Sequence, residues 1–148
     1  MVRIDTRRTA ACIAGLWAGL IAGIALIGAP AGFAVLPRDM AGRLAGRMFE
    51  QEAYLALVVS VLLLLLVRKE ARIDAEAGRG SIFSTNVVIV LGTLFCTMLG
   101  YFAVQPMMAA ARAGQGMWSF GALHGLSAAL FGLKGLLALA LVWRLTRA

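Results

Sequence analysis

From Thr9 to Pro37 the chain carries no Asp, Glu, Lys or Arg, and comparable uncharged runs extend from Gly80 to Ala111 and, broken only by Lys134, from Ala113 to Trp143. About 20 consecutive apolar residues suffice to cross the hydrocarbon core of a bilayer as a helix. A chain inside lipid must satisfy every backbone polar group internally, which leaves helices as the fold for runs of this length. A fourth run, Ala53 to Val67, is shorter. At ~1.5 Å per residue it covers only ~22 Å of a ~30 Å core, so its helix has to begin earlier, among charged residues.

Composition agrees. With 61% hydrophobic and 14% charged residues and a mean hydropathy of +0.89, the chain is far from soluble domains, where about 25% of residues are charged. The expected fold is all-α: an integral membrane four-helix bundle with short loops, spans near residues 10–36, 43–67, 82–106 and 119–143, and an interfacial helix leading into helix two. Net charge is +7. The basic residues stand at block ends without a long basic arm or interleaved aromatics, so lipid headgroups and topology account for them and nucleic acid is not an expected partner. Cys12 and Cys96 both fall inside apolar blocks, where they read as small core residues.

Cytoplasmic segments of membrane proteins carry the excess of Lys and Arg. One side has Arg3, Arg7, Arg8, Arg68, Lys69, Arg72, Arg79, Arg144 and Arg147, against Arg38, Arg43, Arg47 and Arg112 on the other. This predicts a multi-pass protein of the bacterial inner membrane with both termini cytoplasmic. A rival reading takes the first block as a signal peptide cleaved near Ala29-Pro30-Ala31. Its apolar stretch is longer than the usual signal core of about 7 to 15 residues, and its regular glycines suit a retained helix. The loop from Arg68 to Gly80 mixes both signs of charge and predicts a solvated extension of helix two, with the next helix starting at Ser81.

Gly15, Gly19 and Gly23 recur every four residues in helix one, and Gly121, Gly125, Ala129 and Gly132 form a similar strip in helix four. Small residues let helix backbones approach closely in lipid. The strips predict either tight packing inside the bundle or a homodimer. Arg43, Arg47, Glu50 and Tyr54 share one narrow face of the lead-in to helix two, placed to anchor it at the headgroups or to set Glu50 against His124.

His124, the only histidine, lies near the outer start of helix four, with Ser127, Phe131 and Lys134 on the same face at helical spacing. A polar stripe inside a membrane helix faces the bundle interior or a wet cavity. It suits either a hydrogen bond to a neighbouring helix or a metal, haem or proton site. Lys134 is roughly 15 Å from the boundary marked by Arg144, and a lysine at that depth costs ~2.5 to 3.5 kcal/mol on the insertion scale. The long apolar runs offer no acid. Backbone carbonyls, snorkelling, a bound anion or a partner's carboxylate are the compensations to expect. Met98, Met107, Met108 and Met117 are apolar filler or, beside an imidazole, soft ligands for Cu(I).

Trp17 and Gly19, Pro30 and Phe33, Ala41-Gly42-Arg43 through Met48-Phe49, and Leu123-His124-Gly125-Leu126-Ser127 together resemble the small bacterial four-helix domain also found in eukaryotic transmembrane protein 205. That family is similar in layout to the CopD-like superfamily, which includes copper-resistance membrane proteins and the HemJ-type protoporphyrinogen oxidase. The resemblance spans nearly the whole chain and implies a four-helix inner-membrane bundle. Only His124 carries over as a functional position. With no second histidine, a bis-histidine haem within one chain is excluded, whereas His124 with Met98, Met107 or Met117 could hold haem or copper.

Three functions follow as expectations. The first is a non-enzymatic structural, partner-binding or stress-tolerance component of the membrane, with no cofactor. The second is a CopD-like haem or copper protein, and the third a small oligomeric exporter. No nucleophilic or acid-base constellation argues for an enzyme.

Overall fold

The computed structural model describes residues 5–147. It contains four long apolar helices, α1 (Thr6–Val35), α2 (Arg38–Glu76), α3 (Thr85–Arg112) and α4 (Phe120–Thr146), and no strand among the described residues. The starts are set by side chains that accept otherwise unpaired backbone N–H groups. Asp5 accepts from Arg8 N, Ser84 from Val87 N and Ser119 from Ala122 N. α3 thus begins behind Ser84, three residues past the Ser81 expected from sequence. The α2–α3 turn passes through Gly78 at φ +71°, and the α3–α4 turn through Gly114 and Gly116 at +71° and +95°, a region that side chains disfavour. The arginine-bearing lead-in is no separate element. It is continuous with the second span as one 39-residue helix.

Each helix packs antiparallel on its chain neighbour, and α1 closes the ring on α4. Near the termini the interior is apolar and filled by Ala10, Ala14, Leu63, Val67, Val90 and Leu141. This end is tied by Arg7, which donates to the carbonyls of Leu145 at 2.8 Å and Arg144 at 3.1 Å, the orphan acceptors at the end of α4. Arg144 in turn donates to Asn86 Oδ1 at 2.8 Å. Large apolar side chains such as Leu16, Leu26, Val58 and Leu136 cover the outside, as lipid requires.

Two helices widen into π turns, Ile24–Gly28 in α1 and Met98–Ala103 in α3. Pro30 and Pro106 explain both. A proline ring clashes with the carbonyl four residues earlier, here at Leu26 and Phe102, and each of those lies inside its π turn. Up to Ile21 α1 packs on α4, where a Cβ at Gly135 would meet Ile21 at 3.2 Å. From the π turn onward it keeps α2 alone, with Gly28 against Met48 and Gly32 against Leu44. The half of α1 far from the termini therefore diverges from α4.

The glycine strips do not make the contacts inside the bundle. A Cβ at Gly15, Gly19, Gly23, Gly121 or Gly125 would meet nothing within 4 Å. α1 buries Ala10, Ala14, Trp17, Ala18 and Ile21 instead. The close approaches fall at Gly92, Gly100 and Gly135, where a Cβ would sit 3.1 to 3.2 Å from a neighbouring side chain. Cys12 likewise is exposed, whereas Cys96 is buried.

A candidate binding cavity around a buried ion pair

Glu52 and Lys134 meet across the middle of the bundle, joining α2 to α4, helices that do not neighbour each other in the ring. Lys134 Nζ donates to Glu52 Oε2 at 2.5 Å, and the two side chains are 4% and 1% exposed. The other carboxylate oxygen, Oε1, accepts from the indole N–H of Trp17 on α1 at 3.1 Å. Both oxygens of Glu52 are thereby satisfied, which a buried charge requires. The ammonium also lies 4.7 Å from the centroid of the Phe131 ring, a cation–π distance, and Phe131 is held edge-on by Phe49 at 4.9 Å.

Glu52 answers the question that Lys134 poses in the sequence. In the sequence it is masked by Glu50, two positions away, in a stretch that reads as interfacial. Two positions apart on a helix are about 200° apart in direction, so the two glutamates face opposite sides. Glu50 points outward and accepts from Arg47 at 2.6 Å, while Arg43 pairs with Asp39 at 3.1 Å. No ion pair or hydrogen bond joins Glu50 to His124 among the described residues. The signal for Glu52 was its register with the inward stripe Ala56, Val59, Ser60, Leu63 and Val67, spaced as one helix face.

Above the ion pair, away from the termini, lies a cavity of about 290 Å³. Its floor is Glu52 and Lys134, and its wall includes Thr97, Tyr101, Gln105 and Ser127. The π turn of α3 supplies Gly100, whose carbonyl accepts from Ser127 Oγ at 3.1 Å. That bond uses an acceptor in the stretch where Pro106 disturbs the helical ladder. Ala25, from the other π turn, borders the cavity opposite Ala128 and Gly132, and all three are exposed. They stand where α1 leaves α4. On this side the cavity is bordered by exposed residues of two of the long apolar helices.

His124 lines the far end of this cavity, is exposed, and stacks on Phe120 at 5.7 Å between ring centroids. Arg112 covers the Phe120 ring at 4.5 Å. Of the methionines, Met98, Met107 and Met117 are exposed and none lines the cavity, while the buried Met108 does. Among the described residues no three His, Cys, Asp or Glu side chains gather as a metal site would need.

With this geometry in place, comparison with known proteins gives one family match, to a domain of unknown function, DUF4149, over residues 12–116. The chain belongs to the DUF4149 family. The matched region carries Trp17, Glu52 and the α3 wall of the cavity and ends before α4 begins at Phe120. No curated protein and no solved structure matches the chain.

Proposed function

We propose that this DUF4149 protein is a non-enzymatic, multi-pass protein of the bacterial inner membrane that takes a small lipophilic molecule from the bilayer into the interior of its bundle. The observation that carries this reading is the cavity of about 290 Å³, bordered where α1 leaves α4 by the exposed Ala25, Ala128 and Gly132, which we take as its entrance from lipid. Ligand sites of this kind are mostly apolar with a few placed polar groups. Here those groups are the ion pair, Gln105, Tyr101 and His124. Both termini are assigned to the cytoplasm on the Lys and Arg asymmetry. The cavity then faces the outer half of the membrane.

The resemblance to transmembrane protein 205 and the CopD-like layout supports a stress-tolerance setting, in which removing a lipophilic molecule from the bilayer would be protective. The outward glycine strips, Gly15, Gly19 and Gly23 on α1 and Gly121 and Gly125 on α4, suit a homodimer or another membrane-protein partner, since they offer a second chain the close backbone approach they do not use within their own.

The test is reconstitution in lipid nanodiscs and titration with 2,3-dimethylnaphthalene. Saturable binding of one molecule per chain is expected. Gly132→Phe, where a Cβ meets nothing within 4 Å, should weaken it at least about tenfold by filling the opening without disturbing the fold. Partitioning indistinguishable from that into empty nanodiscs, for this hydrocarbon and for polar relatives on the same ring frame alike, would overturn the proposal.

A further inference from the structure

An ammonium has three N–H donors. Lys134 spends one on Glu52, and among the described residues no second hydrogen-bond acceptor reaches it. Two donors are left at the floor of a cavity whose walls set Phe49, Phe131 and Tyr101 beside Thr97, Gln105 and Ser127. Glu52 has the opposite character, because Trp17 and Lys134 occupy both of its oxygens. The floor therefore offers donors and asks for an acceptor.

Charge decides what kind. Lys134 and Glu52 sum to zero, so the site is already neutral. A carboxylate or phosphate entering beside them would bring an unbalanced charge into a medium of low dielectric, where burying an unpaired ion is costly. A neutral carbonyl oxygen costs far less to desolvate and accepts a charge-assisted hydrogen bond from the ammonium. The aromatic wall and the opening toward lipid require the rest of the molecule to be apolar and compact.

We infer that the cavity selects neutral lipophilic carbonyl compounds, quinones being the matching class, by hydrogen bonding a ligand carbonyl to the unspent donors of Lys134. This rests on the cavity being a binding site for lipophilic molecules, as proposed above. It adds which of them it prefers and through which atom.

Three probes of one ring frame separate the possibilities in nanodiscs: 2,3-dimethyl-1,4-naphthoquinone, 2,3-dimethylnaphthalene and 2-naphthoate. Both ring positions that a thiol such as Cys96 could attack are blocked in the quinone. The quinone should bind at least about tenfold more tightly than the hydrocarbon, the value of one hydrogen bond to a charged donor. The naphthoate should bind more weakly than the quinone. A single substitution at Lys134 would leave Glu52 unpaired, so the variant to use is Glu52→Met with Lys134→Met, which removes both charges and every donor at the floor, leaves Trp17 a weak thioether acceptor and roughly preserves volume. Its quinone affinity should fall to that of the hydrocarbon, whose own affinity stays unchanged. If hydrocarbon and quinone bind the native protein equally, carbonyl recognition is overturned and the cavity reading stands. Tighter binding of naphthoate overturns the charge argument in favour of an anion site. Saturable binding of none of the three overturns the cavity reading and this inference with it.

Discussion

Lys134 is the residue that lipid should reject, and Glu52 is what retains it. Neither is cheap to bury, since moving an ion out of water costs several kcal/mol even after relaxation, and their attraction repays this only with good geometry and satisfied partners. Trp17 and Phe131 supply that remainder. Removing one member should therefore hurt more than removing both. Lys134→Ala is expected to lower stability in detergent by about 3–5 kcal/mol, whereas Glu52→Met with Lys134→Met should lose clearly less. Unfolding by graded SDS in mixed micelles measures both, and a double variant as weak as the single one would show that the pair matters for something other than charge. His124 is the contrasting case. It is exposed and touches Phe120, so His124→Ala should accumulate in membranes normally and unfold within about 0.5 kcal/mol of native. Sequence exposed Lys134 as an anomaly because one charge inside an apolar run is visible by itself. Glu52 was hidden because assigning it to the interior requires knowing where a 39-residue helix sits along the bilayer normal, which the local charge pattern around Glu50 obscures.

Helix by helix, small residues do different work according to the direction they face. A four-residue repeat of glycine says that Gly15, Gly19 and Gly23 share a face, and it does not say which face. The buried alanines and Trp17 take the interior of α1, so the glycines look outward. Gly100, outside those strips, is one of the glycines in contact: its Cβ would lie 3.1 Å from Leu130 Cβ. Gly100→Ala should thus destabilise by about 1–3 kcal/mol through overpacking at a π turn. Gly19→Ala should be neutral or gain up to about 1 kcal/mol from helix propensity. Paired unfolding curves in a monomeric detergent decide this, and equal losses at both would mean that Gly19 packs against something the isolated chain does not show. α2 offers a related case in Ser60, whose Oγ is the buried side-chain atom without a partner among the described residues. Ser60→Ala removes an unsatisfied hydroxyl and should raise stability by about 1 kcal/mol. The π turns were not legible beforehand. Pro30 and Pro106 announce a disturbed helix, but whether it kinks, breaks or widens depends on neighbours such as Ser127, which takes up the Gly100 carbonyl.

At the scale of the molecule, the four crossings were legible because long uncharged runs leave a chain no other way to satisfy its backbone in lipid. The cavity was not, since it arises where α1 leaves α4 and keeps α2 alone, a consequence of packing rather than pattern. Which end of the bundle faces the cytoplasm is a question of charge. The end holding the termini carries Arg7, Arg8, Arg68, Lys69, Arg72, Arg79, Arg144 and Arg147, and the other only Arg38, Arg43, Arg47 and Arg112. Moving the richer end across the membrane would work against both the insertion bias and the membrane potential, about 2.3 kcal/mol per charge per 100 mV. In a background with Cys12 and Cys96 replaced by serine, Met117→Cys, at a position 97% exposed in the α3–α4 turn, should react with a membrane-impermeant maleimide added to spheroplasts. Arg79→Cys, in the exposed α2–α3 turn, should react only after the membrane is opened. The reverse pattern would invert the assignment and turn the cavity toward the cytoplasmic half of the bilayer, with the ring of helices and its central ion pair unchanged.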